Sequence, residues 1–203
     1  MINKKIVIIN NKGGVGKTTS ANEIFGPFLS FENGMKQTMV YEFDEENTHG
    51  KIYSKSDCIN FKAQQTTGKK LEDAITDILL KDEPCVIDIG ANKSTTYFME
   101  ALEKSALDDT ISLVAIPLSD GEQDSLNAKS IYRRIRKMNQ TIPILFILSR
   151  YTPTRELEYQ FDYFFEDLLS CVDKKDRQWI VLNDSDCVKF SKKKERTIFE
   201  LSY

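Results

Sequence analysis

Eight consecutive residues, Lys12-Gly13-Gly14-Val15-Gly16-Lys17-Thr18-Thr19, bring three glycines, two lysines and two adjacent hydroxyls into one short segment. Without a Cβ, glycines let successive backbone N–H groups turn inward and cradle an anion. The apolar run Ile6-Val7-Ile8-Ile9 ahead of the segment reads as a strand, and the residues from Lys17 onward read as a helix. A helix starting there aims its positive end at the same anion. Lys17 adds a mobile cation suited to β- and γ-phosphates, and the Thr18 hydroxyl is suited to Mg²⁺. Strand, glycine-rich loop and helix form the context that a phosphate-binding loop requires.

The common form of that loop, G-x-x-x-x-G-K-[ST], asks for glycine at position 11, where this chain has Asn11. The segment matches K-G-G-x-G-K-[ST]-[ST] instead. In this it resembles the ParA/MinD group of deviant Walker ATPases, whose signature lysine falls on Lys12. The resemblance implies ATP/ADP and Mg²⁺ as cofactors, held by Lys12, Gly13, Gly14, Val15, Gly16, Lys17, Thr18 and Thr19. It also implies an ATP-driven, face-to-face homodimer in which each Lys12 reaches phosphates bound by the other copy.

Two later stretches supply carboxylates. Thr38-Met39-Val40-Tyr41-Glu42-Phe43 reads as the second strand, with Glu42, Asp44, Glu45 and Glu46 crowded at its carboxyl end. Ligands of open α/β sheets bind beyond that end. The resembling family carries D-x-D here. Asp44 falls on the second aspartate and is implied to position the attacking water, which makes Lys12, Lys17 and Asp44 the candidate catalytic residues. Glu42 replaces the first aspartate, and Glu45-Glu46 replace the usual Pro-Gln. Pro84-Cys85-Val86-Ile87-Asp88-Ile89-Gly90 is an apolar run closing on an aspartate, the Walker B pattern. Its carboxylate serves the Mg²⁺ shell, usually through water, so Thr18 and Asp88 are the expected metal residues. Asp88-Ile89-Gly90-Ala91-Asn92 departs from the D-x-P-x form and resembles the StbB-like, plasmid-stability branch.

The carboxyl-terminal third holds the candidates for base and DNA contacts. Asn183-Asp184-Ser185 follows a strand-like Trp179-Ile180-Val181-Leu182 and resembles the family's base-contacting loop in position. Lys189, Lys192, Lys193, Lys194 and Arg196 form a basic run with one aromatic, Phe190, and are expected to touch duplex phosphates. A long helix over 122–138 adds Lys129, Arg133, Arg134, Arg136 and Lys137, some of which share a face, with Arg133 and Arg136 as further DNA candidates. Arg150 stands where the family often has a purine-contacting Asn.

These residues need a framework of alternating strands and helices. Strands are expected over 4–10, 38–43, 84–90, 110–116, 144–148 and 179–182, with a short strand or loop near Cys58–Ala63. Helices are expected over 17–31, 69–80, 95–105, 122–138 and 155–171, the last capped by Thr154. Gly26-Pro27 should kink or shorten the first of them. Leu157, Phe161, Phe164, Phe165 and Leu168 form an apolar stripe that reads as core. The alternation predicts a single doubly wound, mainly parallel α/β domain of the P-loop NTPase type over 1–203.

At 203 residues with 40% hydrophobic residues, the chain has enough apolar material for a core. A net charge of −3 excludes a globally basic nucleic-acid binder while leaving room for a local basic patch. Cys58, Cys85, Cys171 and Cys187 are widely spaced, without the clustering of a zinc or iron–sulfur site. His49 has no partner at ligand spacing and reads as a surface residue. Scattered cysteines and no signal peptide or long apolar span point to a reduced, cytoplasmic protein without a membrane anchor. Together with the resemblance, this implies a dimerising switch ATPase for plasmid partition or DNA positioning, with a centromere-binding adaptor and non-specific DNA as partners. The alternative is a nucleotide-gated adaptor in conjugation or another assembly, with weak or no hydrolysis.

Overall fold

A computed structural model describes residues 4–44, 53–64 and 68–202. Glu45, Glu46 and His49 lie outside the described residues. Short apolar runs rich in Ile and Val become strands buried on both faces, as parallel sheets require. β1 is Lys5–Ile9, β2 Thr38–Phe43, β3 Ile59–Gln64, β4 Cys85–Ile89, β5 Leu113–Leu118, β6 Ile144–Tyr151 and β7 Trp179–Asn183. Every pairing is parallel, and the order across the sheet is β3-β2-β4-β1-β5-β6-β7. β4, β2 and β3 lie on one side of β1 and β5, β6 and β7 on the other, so a crevice opens at the carboxyl end of the central strands.

Alternation along β1 sends successive side chains to opposite faces. Ile6 and Ile8 join Ala21, Phe25 and Leu29 of the helical run after the glycine-rich loop. Val7 and Ile9 join the other core, built from α3 (Lys69–Leu80), α4 (Lys93–Ser105), α5 (Glu122–Met138) and the aromatic residues Phe161 and Phe164. Phe161, Phe164 and Leu168 are buried, with Leu157 and Phe165 packed against them, so the aromatic stripe is core as its spacing implied. Cys85 is buried in the same cluster.

Three details differ from the sequence reading, and one that it left open is decided. The first helix is not broken at Gly26-Pro27. It runs from α1 (Lys17–Ser20) through a π-helical turn, Ala21–Phe25, into α2 (Gly26–Glu32). In the wider turn the Gly26 N–H reaches the Ala21 carbonyl, and Pro27 falls in the first turn of α2, where a missing N–H is tolerated. Gly26 lies close on the sheet, since a Cβ there would stand 2.6 Å from Ile59 Cγ2. The segment near Cys58–Ala63 is an edge strand, in register with β2 from Thr38↔Ile59 to Phe43↔Gln64. The strand expected over 110–116 is shifted to Leu113–Leu118 behind a 3₁₀ turn, Asp108–Thr110, and takes in Pro117. Pro117 is tolerated in a central strand because pairing with β1 stops at Ala115. Finally, the helix expected over 155–171 is a succession of short pieces: α6 (Leu157–Gln160), a π segment Tyr163–Leu168 and a 3₁₀ turn Leu169–Cys171. Thr154 is exposed and caps nothing, because α6 starts after Glu156.

Among the described residues, no helix is long and apolar enough to cross a membrane.

Candidate nucleotide site

The loop after β1 is shaped by glycine where the backbone demands it. Gly14 and Gly16 have φ of 76° and 91°. A Cβ on Gly16 would stand 2.8 Å from Ser149 Oγ, so the loop can press against the end of β6 only without one. Asn10 fixes the loop's root: its Nδ2 donates to the Pro117 carbonyl at 2.7 Å, and its Oδ1 accepts from Lys12 N at 3.1 Å. Gly16 is the N-cap of α1 and offers no side chain to the first turn, so that turn's N–H groups are left for an anion.

Lys17 is buried rather than extended into water. Its Nζ donates to the Lys12 carbonyl at 2.8 Å. Burial lowers its pKa, and the nearby charges of Asp88, Asp44 and Glu42 oppose that shift. One ammonium therefore stands among three carboxylates.

Two of those carboxylates are paired by the sheet. Glu42 and Asp88 are register partners on β2 and β4, and both are buried. Thr18 Oγ1 donates to Glu42 Oε1 at 3.2 Å. Burial, and then the charge of Asp88, push the Glu42 carboxyl up to about 8. Burial raises Asp88 to about 6, against the Thr18 hydroxyl and Lys17, which favour its ionised form. Neither Asp88 oxygen makes a hydrogen bond of ordinary geometry among the described residues. Two buried acids beside a hydroxyl, one with unsatisfied oxygens, fit a hard divalent cation that takes one or two carboxylates and keeps its waters. Mg²⁺ bound by Thr18, Asp88 and Glu42 would neutralise the phosphate charge that develops during transfer. Glu42, which the sequence reading treated only as a substituted aspartate, is thus a metal candidate in its own right.

Asp44 stands one step beyond β2, at the lip of the same cavity. Gly90 makes that placement possible. Its N–H donates to the Phe43 carbonyl at 2.7 Å, and a Cβ there would meet that oxygen at 2.7 Å and Asp44 Cγ at 3.1 Å. Thr95 Oγ1 in turn holds the Gly90 carbonyl at 2.8 Å. The glycine of Asp-Ile-Gly is therefore the packing partner of the residue proposed to hold water.

The opposite wall comes from β6 and β7. Ser149 is buried, and its hydroxyl makes no hydrogen bond among the described residues. Arg150 adopts φ 64° at an irregularity in the β6–β7 register, and its guanidinium lies 3.8 Å from where a Gly14 Cβ would be. Gln160 fixes this irregular turn, donating to the Arg150 carbonyl at 3.0 Å and accepting from Thr152 N at 2.9 Å. Asp184 N donates to the Tyr151 carbonyl at 2.9 Å, which brings the Asn183-Asp184 loop alongside.

A cavity of about 800 Å³ joins these walls, a size in the range of small-ligand sites. It is lined by Gly13, Gly14, Gly16, Lys17, Thr18 and Thr19 together with Glu42, Asp44, Asp88, Asn183 and Asp184. Two residues of the predicted loop do not line it. Val15 is buried behind the loop, and Lys12 turns away to pair with Asp124 at the start of α5. Sequence spacing gave no sign of Asn10, Ser149 or Asp124; each acts through a contact with residues more than a hundred positions away.

The basic run divides. α7 (Asp186–Lys194) places Lys189 and Lys192 on the cavity wall. Lys193, Lys194 and Arg196 are exposed, Arg196 within 3.5 Å of Asp57 and Lys194 over the Phe190 ring. Arg136, by contrast, is not on a charged outer face. It is buried and grips Asp176 through Nε at 2.7 Å and Nη2 at 2.8 Å. It also donates to the carbonyls of Asn139 and Ile142. Helical spacing reports which residues share a face, not whether a later loop will cover it.

No family model matches the chain, and no curated protein matches it. Solved structures do. McdA from Cyanthece in its apo form is 14% identical, with a TM-score of 0.66 over 98% of this chain and 93% of that one. A Borrelia burgdorferi B31 protein described as a plasmid partition protein, bound to AMPPNP, is 16% identical, with a TM-score of 0.60 over 98% and 95% of the two chains. A plasmid partition protein from Borrelia burgdorferi is 17% identical, with a TM-score of 0.54 over 98% and 97%. The chain shares the fold of McdA and of these plasmid partition proteins, in line with the α/β fold that the resemblance in the glycine-rich loop implied.

Proposed function

We propose that the chain is a Mg²⁺-dependent ATPase that uses ATP to switch between monomer and dimer and so positions or partitions DNA, in particular a plasmid. The observation that carries this reading is the convergence of Lys17, Thr18, Glu42, Asp88 and Asp44 on one cavity at the carboxyl end of the central strands. Its fold likeness to plasmid partition proteins supports it.

Each residue has a part in this chemistry. Backbone N–H groups of the loop and the Lys17 ammonium hold the β- and γ-phosphates. Thr18, Asp88 and Glu42 hold the metal. Asp44, at the cavity lip, orients water for attack on the γ-phosphorus, and ADP leaves with its new terminal charge met by Lys17. Asn183 and Asp184 line the end of the cavity nearest β7 and are proposed to contact the base. Phosphoryl transfer asks for positioning and charge neutralisation rather than a covalent intermediate, and these groups supply both. In the dimer, Lys12 leaves Asp124 and reaches the phosphates of the other copy. The exposed Lys193, Lys194 and Arg196, with Lys189 at the cavity mouth, give duplex phosphates a basic edge that a dimer doubles. A centromere-binding adaptor completes the system.

A second reading, a nucleotide-gated adaptor with weak hydrolysis, rests on Glu42 standing where the family has aspartate and on Arg150 lying over Gly14. Steady-state phosphate release, measured with Mg²⁺-ATP alone and with duplex DNA, separates the two. Turnover that DNA stimulates supports the switch ATPase. Tight ATP binding without turnover under either condition supports the adaptor.

A further inference from the structure

Helix α7 is fastened to the phosphate-loop helix in a way that the proposed reaction does not by itself explain. Ser191, fully buried on α7, donates its hydroxyl to Glu23, which lies in the π-helical turn directly after α1. Glu23 is held from two further sides: its Oε1 accepts from Tyr53 Oη at 2.6 Å, and its Oε2 accepts from Ile198 N at 2.7 Å. Beyond α7, the short helix α8 (Ile198–Leu201) is closed by a capping box between Thr197 and Glu200. Glu200 also takes the Ser56 hydroxyl at 2.8 Å and Asp57 N at 2.6 Å. The anchored residue Ser191 is followed at once by Lys192, half-buried, which lines the cavity together with Lys17, Thr18, Glu42 and Asp88. Its neighbours Lys193 and Lys194 are exposed.

The cavity needs such a charge. Three carboxyl groups, with Glu42 raised to about 8 among them, and one ammonium already share its floor, and a nucleotide brings several negative charges into a partly desolvated site. Lys12 does not answer from within the same chain, because it is paired with Asp124. Lys189 is 84% exposed and paired with Asp186, at the mouth. Arg150 and Lys93 also line the cavity, Arg150 over Gly14 on the irregular turn after β6 and Lys93 exposed at the start of α4. Lys192 shares the cavity wall with buried Glu42 and is near enough for its charge to act there. Glu42 accepts the Thr18 hydroxyl, so Lys192 serves the side of the cavity where the metal and terminal phosphates belong.

We propose that Lys192 is an additional phosphate-binding cation, carried in cis by α7 to the terminal phosphate of the bound nucleotide and held on station by the Ser191–Glu23 contact. This deepens the ATP-binding reading and rests on it. It also removes Lys192 from the residues available to DNA when nucleotide is bound.

The test is calorimetric titration of AMPPNP and of ADP, each with Mg²⁺ and without DNA, into the wild type, Lys192→Ala, Lys192→Arg and Lys193→Ala. A lost hydrogen bond between charged groups weakens binding roughly tenfold or more. Lys192→Ala is expected to lose that much for AMPPNP and under threefold for ADP. Lys192→Arg should recover most of the loss, and Lys193→Ala should behave as wild type. Equal losses for both nucleotides, or no rescue by arginine, would mean that Lys192 only props the helix, and the proposal fails. So does unchanged AMPPNP affinity in Lys192→Ala beside a wild type that binds. A wild type that binds neither nucleotide overturns the ATP-binding reading itself, a result distinct from the others. Thermal melting of each apo variant, expected within a few degrees of wild type, shows that the comparison is between folded proteins.

Discussion

The ammonium of Lys12 pairs with the carboxylate of Asp124, a side chain only 3% exposed at the first turn of α5. The same carboxylate accepts from Ser119 N at 3.3 Å, so it is fixed in place while the lysine, 42% exposed, is free to be withdrawn. In the proposed cycle this contact competes with dimerisation, because one ammonium cannot serve both Asp124 and phosphates across an interface. Asp124→Asn should weaken the competing contact by about 1 kcal/mol, the upper range for a pair with one exposed partner, and so raise ATP-dependent dimerisation roughly fivefold. Light scattering across a protein dilution series with AMPPNP measures it. A dimerisation constant at or below wild type would show that the pair does not restrain Lys12.

Lys17→Ala should abolish nucleotide binding, with at least a hundredfold loss of affinity, and leave the fold intact. The lysine is buried against a backbone carbonyl and three carboxylates rather than packed in an apolar core. Its loss removes the cation proposed to face the phosphates without opening a cavity among the strands. Titration with a fluorescent ATP analogue and far-ultraviolet circular dichroism together decide the point. Wild-type affinity in a folded variant would dismiss the phosphate-loop assignment.

The fold was legible because its signals are local and repeated. Ile6–Ile9, Val86–Ile89 and Ile144–Leu148 are buried on both faces and announce themselves by composition, and the loop between β1 and α1 does so by its glycines. What could not be read were features set by distant neighbours. Pro117 extends β5 because β1 stops pairing at Ala115. Arg136 is hidden because Asp176 returns over α5. Lys12 turns to Asp124, and Lys192 to the cavity, because helices far along the chain end beside the loop. Charge spacing on one helix carries no record of such later coverings.

Glu42→Gln should stabilise the metal-free protein and weaken its hold on Mg²⁺. Burial and Asp88 raise the Glu42 carboxyl to about 8 in the folded chain, well above its value in an unfolded one. A group raised in this way favours folding below its unfolded pKa and loses that advantage as pH climbs through the folded value. In metal-free buffer, the wild type should therefore lose stability between about pH 5 and 8, and Glu42→Gln should flatten that decline. At the alkaline end the variant should melt a few degrees higher, as a gain of about 1 kcal/mol implies for a domain of this size. The added stabilisation that Mg²⁺-AMPPNP gives the wild type should shrink. Parallel pH profiles in the two proteins would show that Glu42 does not titrate in this window.

Arg136→Ala should cost roughly 3–5 kcal/mol, because it leaves Asp176 buried without its partner. It should not alter DNA affinity per folded molecule, since the guanidinium reaches no outer surface. Urea unfolding gives the first quantity, and duplex titration at low salt gives the second. Reversal of charge at Lys193 and Lys194, in contrast, should weaken duplex binding and flatten its salt dependence. A stable Arg136→Ala protein with reduced DNA affinity would reverse both assignments.

Lys12 and Asp44 should separate dimer formation from hydrolysis. Lys12 leaves its own chain's cavity to Lys17 and pairs at the edge of α5, so its removal takes nothing from the nucleotide that its own chain binds. What it takes is the positive charge proposed to cross to the other copy, without which two ATP-loaded faces repel each other. Lys12→Ala should bind AMPPNP within about threefold of wild type, remain monomeric and release little phosphate. Asp44 lies at the cavity lip, packed close to Gly90, and is proposed to act on water rather than on the phosphates, so its removal should spare binding and dimerisation. It takes away the group proposed to align water. Asp44→Ala should form the dimer with ATP and keep it, because in the proposed cycle hydrolysis releases the two copies. Sedimentation velocity with ATP, followed over the time in which the wild type returns to monomer, distinguishes the two: a monomer throughout for Lys12→Ala, and a persistent dimer for Asp44→Ala. If both variants dimerise and release phosphate as the wild type does, neither residue has the proposed role, and the pairing of Lys12 with Asp124 is a surface contact alone.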